Sequence, residues 1–199
     1  MADDIKEHLI KLLLEKSFRY SEEATIKLAS GKMSNYYIDC RKTTYSPEGQ
    51  YLVGNIIFEM IKDLKIDAVG GLTMGADPIS CSVAFASHTH KNDIGSFAIR
   101  KERKEHGMQK QVEGDVKEGD RVVIIDDVIT TGGSTVKAIE AARREGLDIL
   151  KVIVLVDREE GGKEEILKHV SEVEAVCTKS ELLEAYKKKP LLNKVGILS

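Results

Sequence analysis

The sequence has few cysteines, no long apolar run and no strong excess of charge of either sign. Only three cysteines occur in 199 residues. Cys40, Cys81 and Cys177 form no CxxC pair, which argues against both a zinc site and a disulfide framework. This cysteine usage is typical of a reducing, intracellular compartment. The net charge of −3 argues against a global basic surface for nucleic acid, so such a partner would require a local basic patch.

Segments that could enter a membrane are missing as well. The N-terminal residues, MADDIKEHLIKLLLEKS, are charged throughout and lack the uninterrupted apolar run of a signal peptide or a transmembrane helix. We therefore expect a soluble, cytoplasmic protein that binds neither membranes nor nucleic acid. Hydrophobic residues make up 42% of the chain and charged residues 32%, a mixture that can bury a core and does not favour disorder.

From about residue 67 the chain alternates between predicted strands and predicted helices. Such alternation implies right-handed crossovers and a parallel sheet with helices on both faces, which is the α/β class. The predicted strands are 67–72, 94–100, 121–126, 148–157 and 173–178, and the predicted helices are 77–87, 134–146, 162–170 and 180–188.

The N-terminal part of the chain does not follow this alternation. Residues 3–16 have the apolar spacing of a helix, and residues 24–40 look like short strands around a turn. Ser46 is the predicted N-cap of a further helix with Pro47 in its first position. We therefore expect one structural unit with two regions, a small N-terminal hood at 1–45 and an α/β core at 46–199.

The segment VVIIDDVITTGGST, residues 122–135, combines carboxylates with a turn that suits a phosphate. In an open parallel sheet ligands bind beyond the carboxyl ends of the strands, where Asp126 and Asp127 are expected. Gly132 and Gly133 let backbone N–H groups approach an anion, and the next helix directs its positive end to the same place. Hydroxyl donors come from Thr130, Thr131, Ser134 and Thr135. Carboxylates there suit hydroxyl groups or Mg²⁺, so a ribose 5-phosphate would satisfy both halves. The turn matches neither GxxxxGK[ST] nor GxGxxG.

This segment resembles the phosphoribosyl-pyrophosphate (PRPP) motif of type I phosphoribosyltransferases: four apolar residues, two acids, two apolar residues and a Thr/Gly/Ser turn. A strand–turn–helix junction with chance acids is the alternative. The resemblance implies the type I phosphoribosyltransferase fold, a central, mainly parallel sheet flanked by helices with a small N-terminal hood. It also implies that the motif binds PRPP, with the aspartates on the ribose. The implied PRPP-binding residues are Asp126, Asp127, Val128, Ile129, Thr130, Thr131, Gly132, Gly133 and Ser134.

A run of mixed charge, RKERKEHGMQKQVEG at residues 100–114, follows a predicted strand. Its cations are concentrated on the predicted ligand side of the sheet, and its length is that of a functional lid. A solvated surface loop is the alternative for such a run. The run resembles the mobile catalytic loop of orotate phosphoribosyltransferases, in which an Arg–Lys pair is followed by Lys and then x-His-Gly. The matching residues are Arg100, Lys101, Lys104, His106 and Gly107, and the resemblance implies that the first four bind PRPP.

Further segments resemble the same family. Residues 27–39, KLASGKMSNYYID, look like its N-terminal segment near the base. Residues 156–162, VDREEGG, look like the segment whose arginine binds the orotate carboxylate. That arginine is Arg158 here, and Thr130 is assigned to orotate with it.

The sequence departs from the family pattern in two places. Some relatives have a lysine in each of two loops, where this chain has Ala29 and Met74. The second of these lies in the stretch 70–80, which occupies the position of the family's pyrophosphate-side loop. Contacts from these two loops to the base and to the pyrophosphate are therefore left open.

The resemblance implies that orotate displaces pyrophosphate from PRPP to give orotidine 5′-monophosphate, in pyrimidine biosynthesis. Lys104, His106, Asp126 and Asp127 would be catalytic, with the proton donor to pyrophosphate left open between Lys104 and His106. Closure of loop 100–114 would exclude water. Mg²⁺ is the implied cofactor, held mainly by PRPP without direct protein ligands. A homodimer is implied, because the family's loop reaches the neighbouring subunit's site. The alternatives are a purine-type phosphoribosyltransferase and a PRPP- or nucleotide-sensing regulator of the same fold.

Four other side chains of reactive types, two histidines and two cysteines, are interpreted as structural. His88 and His90 form a short H-x-H without Cys, Asp or Glu at metal-binding spacing, and we expect both at the surface. Cys81 and Cys177 are expected to be small residues of the core.

Overall fold

The structure is a computed structural model that describes residues 2–23, 26–27, 33–102 and 110–188. The helices of these residues are α1 (Ala2–Lys16), α2 (Arg41–Thr44), α3 (Pro47–Ile61), α4 (Asp77–Thr89), α5 (Gly133–Arg144), α6 (Gly162–Ile166) and α7 (Lys179–Lys188). The strands are β1 (Phe18–Tyr20), β2 (Ile26–Lys27), β3 (Met33–Ser34), β4 (Tyr36–Ile38), β5 (Ala68–Leu72), β6 (Gly95–Ile99), β7 (Val112–Gly114), β8 (Arg121–Ile129), β9 (Asp148–Asp157) and β10 (Val173–Thr178). Within this part of the chain, no helix combines the length and the apolar content needed to cross a bilayer.

A six-stranded sheet in the order β10-β9-β8-β5-β6-β7 forms the centre of the described structure. Every neighbouring pair is parallel except β6 and β7, which are antiparallel. The predicted mainly parallel sheet is therefore confirmed. From β5 the chain proceeds outward to β6 on one side, and from β8 it proceeds to β9 and β10 on the other. The order thus reverses between β5 and β8, and a ligand crevice is expected beyond their carboxyl ends.

Helices cover both faces of this sheet. Along β8 successive side chains point to opposite faces, so that Val123 and Ile125 pack in one core cluster while Val122 and Ile124 pack in the other. The first cluster contains apolar residues of α1, α3, α4 and α7, and the second contains those of α5 and α6. A strand buried on both faces has a continuous apolar sequence, which explains the run that precedes the aspartates.

The helix α3 begins as predicted. The Ser46 side chain accepts a hydrogen bond from the Gly49 backbone N–H at 3.2 Å, and Pro47 holds the first helical position. Leu9 and Leu13 of α1 belong to the same core cluster as Ile57 of α3, so the N-terminal helix shares the core of the sheet. The division into a hood at 1–45 and a core at 46–199 remains a prediction.

Other elements differ from the predicted ones in extent. The helix predicted at 162–170 ends at Ile166. Strand β8 continues to Ile129, three residues beyond the predicted end at Asp126, so both Asp126 and Asp127 lie within it. Strand β7 was not predicted, because three residues are too few for a strand pattern and its position is decided by pairing with β6.

The prediction that Cys81 is a core residue is wrong, whereas Cys177 is buried as expected. Helix α4 buries Ile79, Val83 and Ala86, which share one face at helical spacing, so Cys81 points to the opposite, exposed side. His88 and His90 are both exposed, as predicted.

Candidate active site

The predicted phosphate turn lies at the reversal of strand order, between the end of β8 and the start of α5. Gly132 has φ +80°, and a Cβ at this position would lie 2.7 Å from the Gly162 carbonyl oxygen. A Cβ at Gly133, by contrast, would meet no atom within 4 Å. The first N–H groups of a helix have no partner within the helix, so those of α5 face this open space. A cavity of about 260 Å³ results, lined by Asp126, Val128, Ile129, Thr130, Thr131, Gly132, Gly133, Ser134 and Thr135.

The two aspartates are held by bonds within the same segment. Asp126 accepts from the Thr135 hydroxyl at 2.5 Å and from the Asp127 backbone N–H at 2.9 Å. Asp127 accepts from the Val128 backbone N–H at 2.9 Å. Thr135 was predicted only as a hydroxyl donor of the turn. Its bond to Asp126 forms because α5 folds back along β8, so that these two residues, nine positions apart in sequence, come into contact.

Burial changes the acidity of both carboxyl groups. It raises the pKa of Asp126 to about 7, and the charge of Asp127 acts in the same direction while the Thr135 hydrogen bond opposes it. Burial also raises the pKa of Asp127. The two groups interact, so the pair binds a proton more readily than exposed carboxyls would. Neighbouring hydroxyl groups of a sugar could donate to this pair, because its carboxylate oxygens are hydrogen-bond acceptors.

A second cavity of about 310 Å³ lies beside the first and shares the Asp126, Val128 and Ser134 walls. Its lining residues are Tyr37, Ile38, Asp39, Cys40, Arg41, Leu72, Thr73, Met74, Gly75, Lys101, Asp126, Asp127, Val128 and Ser134. A Cβ at Gly75 would lie 2.5 Å from Asp127 Oδ1, so the loop after β5 is in close contact with the aspartates. The two cavities together form one groove along the carboxyl ends of β5 and β8.

Arg158 follows β9 directly and reaches the phosphate turn. Its backbone N–H donates to the Ile129 carbonyl at 3.1 Å, which joins the ends of β8 and β9. Its side chain is buried, and Nη1 lies 3.5 Å from the Thr130 hydroxyl oxygen. The structure therefore brings together the two residues that were predicted to bind orotate, 28 positions apart in sequence.

Two further residues complete the surroundings of Arg158. The guanidinium carbon lies 4.9 Å from the centre of the Tyr36 ring, and Nε and Nη2 donate to the Tyr36 hydroxyl at 3.4 and 3.3 Å. Glu160 Oε1 lies 3.0 Å from Arg158 Nη2, and the Tyr36 hydroxyl donates to the same oxygen. Burial raises the pKa of Tyr36, and the bond to Glu160 adds to that rise.

Sequence reasoning missed Tyr36 and Glu160 as individual residues, although both lie in segments that it selected. A signal for the tyrosine was present: in β4 the side chains alternate, so Tyr36 and Ile38 are buried while Tyr37 is exposed. Nothing local indicated that Tyr36 meets a residue more than a hundred positions away.

Comparison with known proteins agrees with this geometry. The phosphoribosyl transferase domain family matches residues 46–181. An orotate phosphoribosyltransferase of Aquifex aeolicus is 45% identical over 178 residues, which are 89% of this chain and 97% of that protein. The chain belongs to the orotate phosphoribosyltransferase family.

Solved structures of this family have the same fold. Mycobacterium tuberculosis orotate phosphoribosyltransferase in complex with Fe(III) dicitrate matches with a TM-score of 0.78 at 31% identity, over 89% of this chain and 98% of that one. The same enzyme in complex with PRPP matches with a TM-score of 0.72 at 26% identity, over 90% of this chain and 92% of that one. The predicted type I phosphoribosyltransferase fold is thus confirmed.

The segment that resembles the family's catalytic loop is described only in part. Arg100 lies outside the groove, where its Nε donates to Glu113 Oε1 at 2.8 Å. The Gln111 side chain donates to the Arg100 carbonyl at 2.8 Å, which ties the two ends of the segment together. Lys101 lines the larger cavity with the aspartates. Residues 103–109, with the predicted Lys104, His106 and Gly107, lie outside the described residues, as does Ala29.

Met74 occupies the other position at which some family members have lysine. It is largely exposed and lines the larger cavity, and its carbonyl oxygen lies 3.4 Å from the Tyr45 hydroxyl. At this wall of the groove, Met74 contributes an apolar side chain and a backbone acceptor in place of a cation.

Proposed function

We propose that the chain transfers the ribose 5-phosphate group of PRPP to orotate, giving orotidine 5′-monophosphate and pyrophosphate. The observation that carries this proposal is the buried Arg158 beside Thr130 of the phosphate turn. A guanidinium binds a carboxylate through two parallel hydrogen bonds, and orotate carries a carboxylate that adenine and hypoxanthine lack. A carboxylate-binding group next to a sugar-phosphate site therefore favours orotate over a purine as the acceptor.

The donor fits the groove in one orientation. Its 5-phosphate would bind in the 130–135 turn, where the first N–H groups of α5 and several hydroxyls converge. Its ribose hydroxyls would then donate to Asp126 and Asp127. Asp126 borders both cavities, and Asp127 borders the larger one. The Thr135 bond holds the Asp126 carboxylate in place for this contact. The pyrophosphate would extend along the larger cavity toward Lys101 and the loop after β5.

The chemistry requires stabilisation of negative charge on the departing pyrophosphate. We propose Lys101 for this role, and its position on the larger cavity supports it. We propose that Arg100, Lys104 and His106 join it when loop 100–114 closes, with Arg100 exchanging Glu113 for phosphate oxygens. Closure would also keep water from the electrophilic C1. We propose that N1 of orotate is already an anion, or nearly so, when it attacks C1, so no strong protein base is required.

Mg²⁺ is proposed as the cofactor, bound mainly through PRPP. Among the described residues, no group of three or more His, Cys, Asp or Glu side chains could hold a metal ion. The carboxylates of Asp126 and Asp127 are oxygen ligands of the kind that Mg²⁺ prefers, and they border the place where PRPP would lie. A Mg²⁺ ion that arrives with PRPP therefore fits the residues present, and would neutralise charge on the pyrophosphate.

A homodimer in the cytoplasm is the proposed form of the protein. The resemblance of residues 100–114 to a loop that enters the neighbouring site supports shared active sites, with each loop contributed to the partner. All three cysteines are free, which agrees with a reducing compartment.

A steady-state assay with PRPP and Mg²⁺ tests the acceptor directly. Orotate, adenine and hypoxanthine would be compared at equal concentration, with release of pyrophosphate as the readout. We expect turnover with orotate and little with either purine. Turnover of a purine without turnover of orotate would favour the purine-type alternative, and no turnover of any acceptor would favour a regulator.

Loop exchange between subunits is tested by Lys104→Ala and Asp127→Ala. Lys104→Ala should lower kcat far more than it weakens PRPP binding, because its amine would act on the leaving group in the transition state. Mixed dimers of the two variants should regain part of the wild-type activity, since one of their two sites would contain neither substitution. Mixtures that stay as inactive as the separate variants would show that each subunit is self-contained.

A further inference from the structure

We propose that Glu160 holds the acceptor-binding face of Arg158 while no acceptor is bound, and that the acceptor's carboxylate replaces it. Glu160 would thereby determine specificity for an anionic acceptor. This inference rests on the proposed function, because it assumes that Arg158 binds the acceptor carboxylate.

The contacts of Glu160 are those that a bound carboxylate would use. Its Oε1 lies 3.0 Å from Arg158 Nη2 and accepts from the Tyr36 hydroxyl. The Tyr36 hydroxyl oxygen itself lies within 3.4 Å of Arg158 Nε and Nη2. An acceptor carboxylate that approached from the Thr130 side would find part of the guanidinium already paired with the carboxylate of the protein.

Burial differs sharply between the partners. The Arg158 side chain is 11% exposed and Tyr36 is buried, whereas the Glu160 side chain is 36% exposed. A buried guanidinium without an anionic partner is strongly unfavourable, so Arg158 requires a counter-charge in the free protein. Glu160 is near enough to solvent to turn outward and be hydrated when another carboxylate takes its place. The next residue, Gly161, has φ +89°, and a Cβ at this position would meet no atom within 4 Å. The space beside Glu160 is therefore open for its side chain to turn outward.

This exchange discriminates between anionic and neutral acceptors. An acceptor with a carboxylate replaces one negative charge on Arg158 with another, so the buried cation is paired in both states. A neutral pyrimidine such as uracil cannot supply that charge. It must bind with Glu160 still on Arg158, or else leave the guanidinium unpaired. Discrimination of this kind penalises the wrong ligand in addition to attracting the right one.

Among the described residues, Lys179 and Glu159 also lie near Tyr36 and Arg158, and neither replaces Glu160. Lys179 Nζ lies 5.7 Å from the centre of the Tyr36 ring and 3.9 Å from Glu159 Oε2. Glu159 is bonded elsewhere, because its Oε2 accepts from the Ser180 backbone N–H at 2.9 Å and from the Ser180 hydroxyl at 2.6 Å. It is therefore a matched control, one position along the chain and with the same charge.

The test compares Glu160→Gln with Glu159→Gln in the full-length protein. Glu160→Gln keeps the shape of the side chain and removes the competing charge. We expect the KM for orotate to fall about three- to tenfold, the range of a partly exposed charge-assisted pair, with kcat and the KM for PRPP within twofold of wild type. Glu159→Gln should leave all three parameters within twofold. A KM for orotate that is unchanged or higher in Glu160→Gln would overturn the proposal.

A binding measurement without catalysis separates this inference from the proposed function. Without orotate, Glu160→Gln should have a lower Tm than wild type, because Arg158 has lost its anionic partner. Orotate should raise the Tm of the variant by more than it raises that of wild type. Equal orotate-induced shifts would refute the exchange. If wild type neither turns over orotate nor is stabilised by it, the proposed function itself fails. Should Glu160→Gln not fold, Glu160→Asp, which withdraws the carboxylate by one methylene, should change the KM in the same direction by a smaller factor.

Discussion

The buried carboxyl of Asp126 makes the stability of the fold depend on pH, and Asp126→Asn should remove that dependence. Asn is neutral at all pH values and has nearly the same shape. Its Oδ1 can accept from the Asp127 N–H, and its Nδ2 can donate to the Thr135 hydroxyl, so both bonds of the aspartate can be kept. The substitution therefore removes the charge of this side chain while retaining its packing.

The size of the effect follows from the pKa of Asp126, which burial raises from 3.8 to about 7. Each pKa unit corresponds to about 1.4 kcal/mol, so ionisation of this carboxyl in the folded state costs at most about 4 kcal/mol. Below about pH 4 both folded and unfolded states hold the proton. Between about pH 4 and pH 7 only the folded state holds it, so the free energy of unfolding falls as pH rises. Above about pH 7 both states are ionised and this contribution no longer changes.

The assay is urea denaturation at pH 5, 6, 7 and 8 without PRPP or Mg²⁺. Wild type should lose stability across this range relative to Asp126→Asn, and at pH 8 the variant should be the more stable by about 1–3 kcal/mol, since Asp127 shares the titration. Asp63→Asn, at an exposed site after α3, is the control and should follow the wild-type slope.

Parallel stability curves for wild type and Asp126→Asn would refute this reasoning. They would mean that the carboxyl ionises in the folded protein as easily as in the unfolded chain. If the parallel curves were also offset, with the variant less stable at every pH, the offset would measure packing lost in addition.

Three further predictions concern Arg158, Gly132 and Thr135, and the first two each include a comparison variant. Arg158→Gln should raise the KM for orotate by about 30- to 100-fold through loss of a charge-assisted pair, with the KM for PRPP within twofold, and Arg158→Lys should recover only part of the loss in the same steady-state assay. Gly132→Ala should cost about 1–3 kcal/mol in urea denaturation because of its positive φ and its contact with Gly162, whereas Gly161→Ala, with a positive φ but open space, should cost about 1 kcal/mol. Thr135→Val should lower stability by about 1–2 kcal/mol at pH 8 and by less at pH 5, because the lost hydrogen bond favours the ionised Asp126. Equal losses at both pH values would show that the Thr135 hydroxyl does not favour ionisation.

Local sequence determines a large part of this fold because its elements have strong local signals. The apolar run before Asp126 is long enough to form a strand buried on both faces, and Ser46 with Pro47 specifies the start of α3 through a cap and a favourable φ. Elements with weaker signals were missed or given the wrong extent. Strand β7 depends on pairing with β6, and α6 is only five residues long. Cys81 shows the same limit, because a small thiol is compatible with either face of α4 and the neighbouring apolar residues decide which face is buried.

The candidate site divides in the same way. The segment 122–135 by itself predicted a sugar-phosphate site, because its carboxylates, glycines and hydroxyls are contiguous and their spacing is set by one strand and one turn. Only the tertiary structure decided which side chains surround Arg158, the residue proposed to bind the acceptor. Tyr36 and Glu160 lie 124 positions apart, yet they share a hydrogen bond around Arg158. Contacts between residues so far apart in sequence depend on the order of the strands and on which side chain of a short strand points inward. No local pattern predicts them, and they arise only because the start of β4 lies beside the ends of β8 and β9.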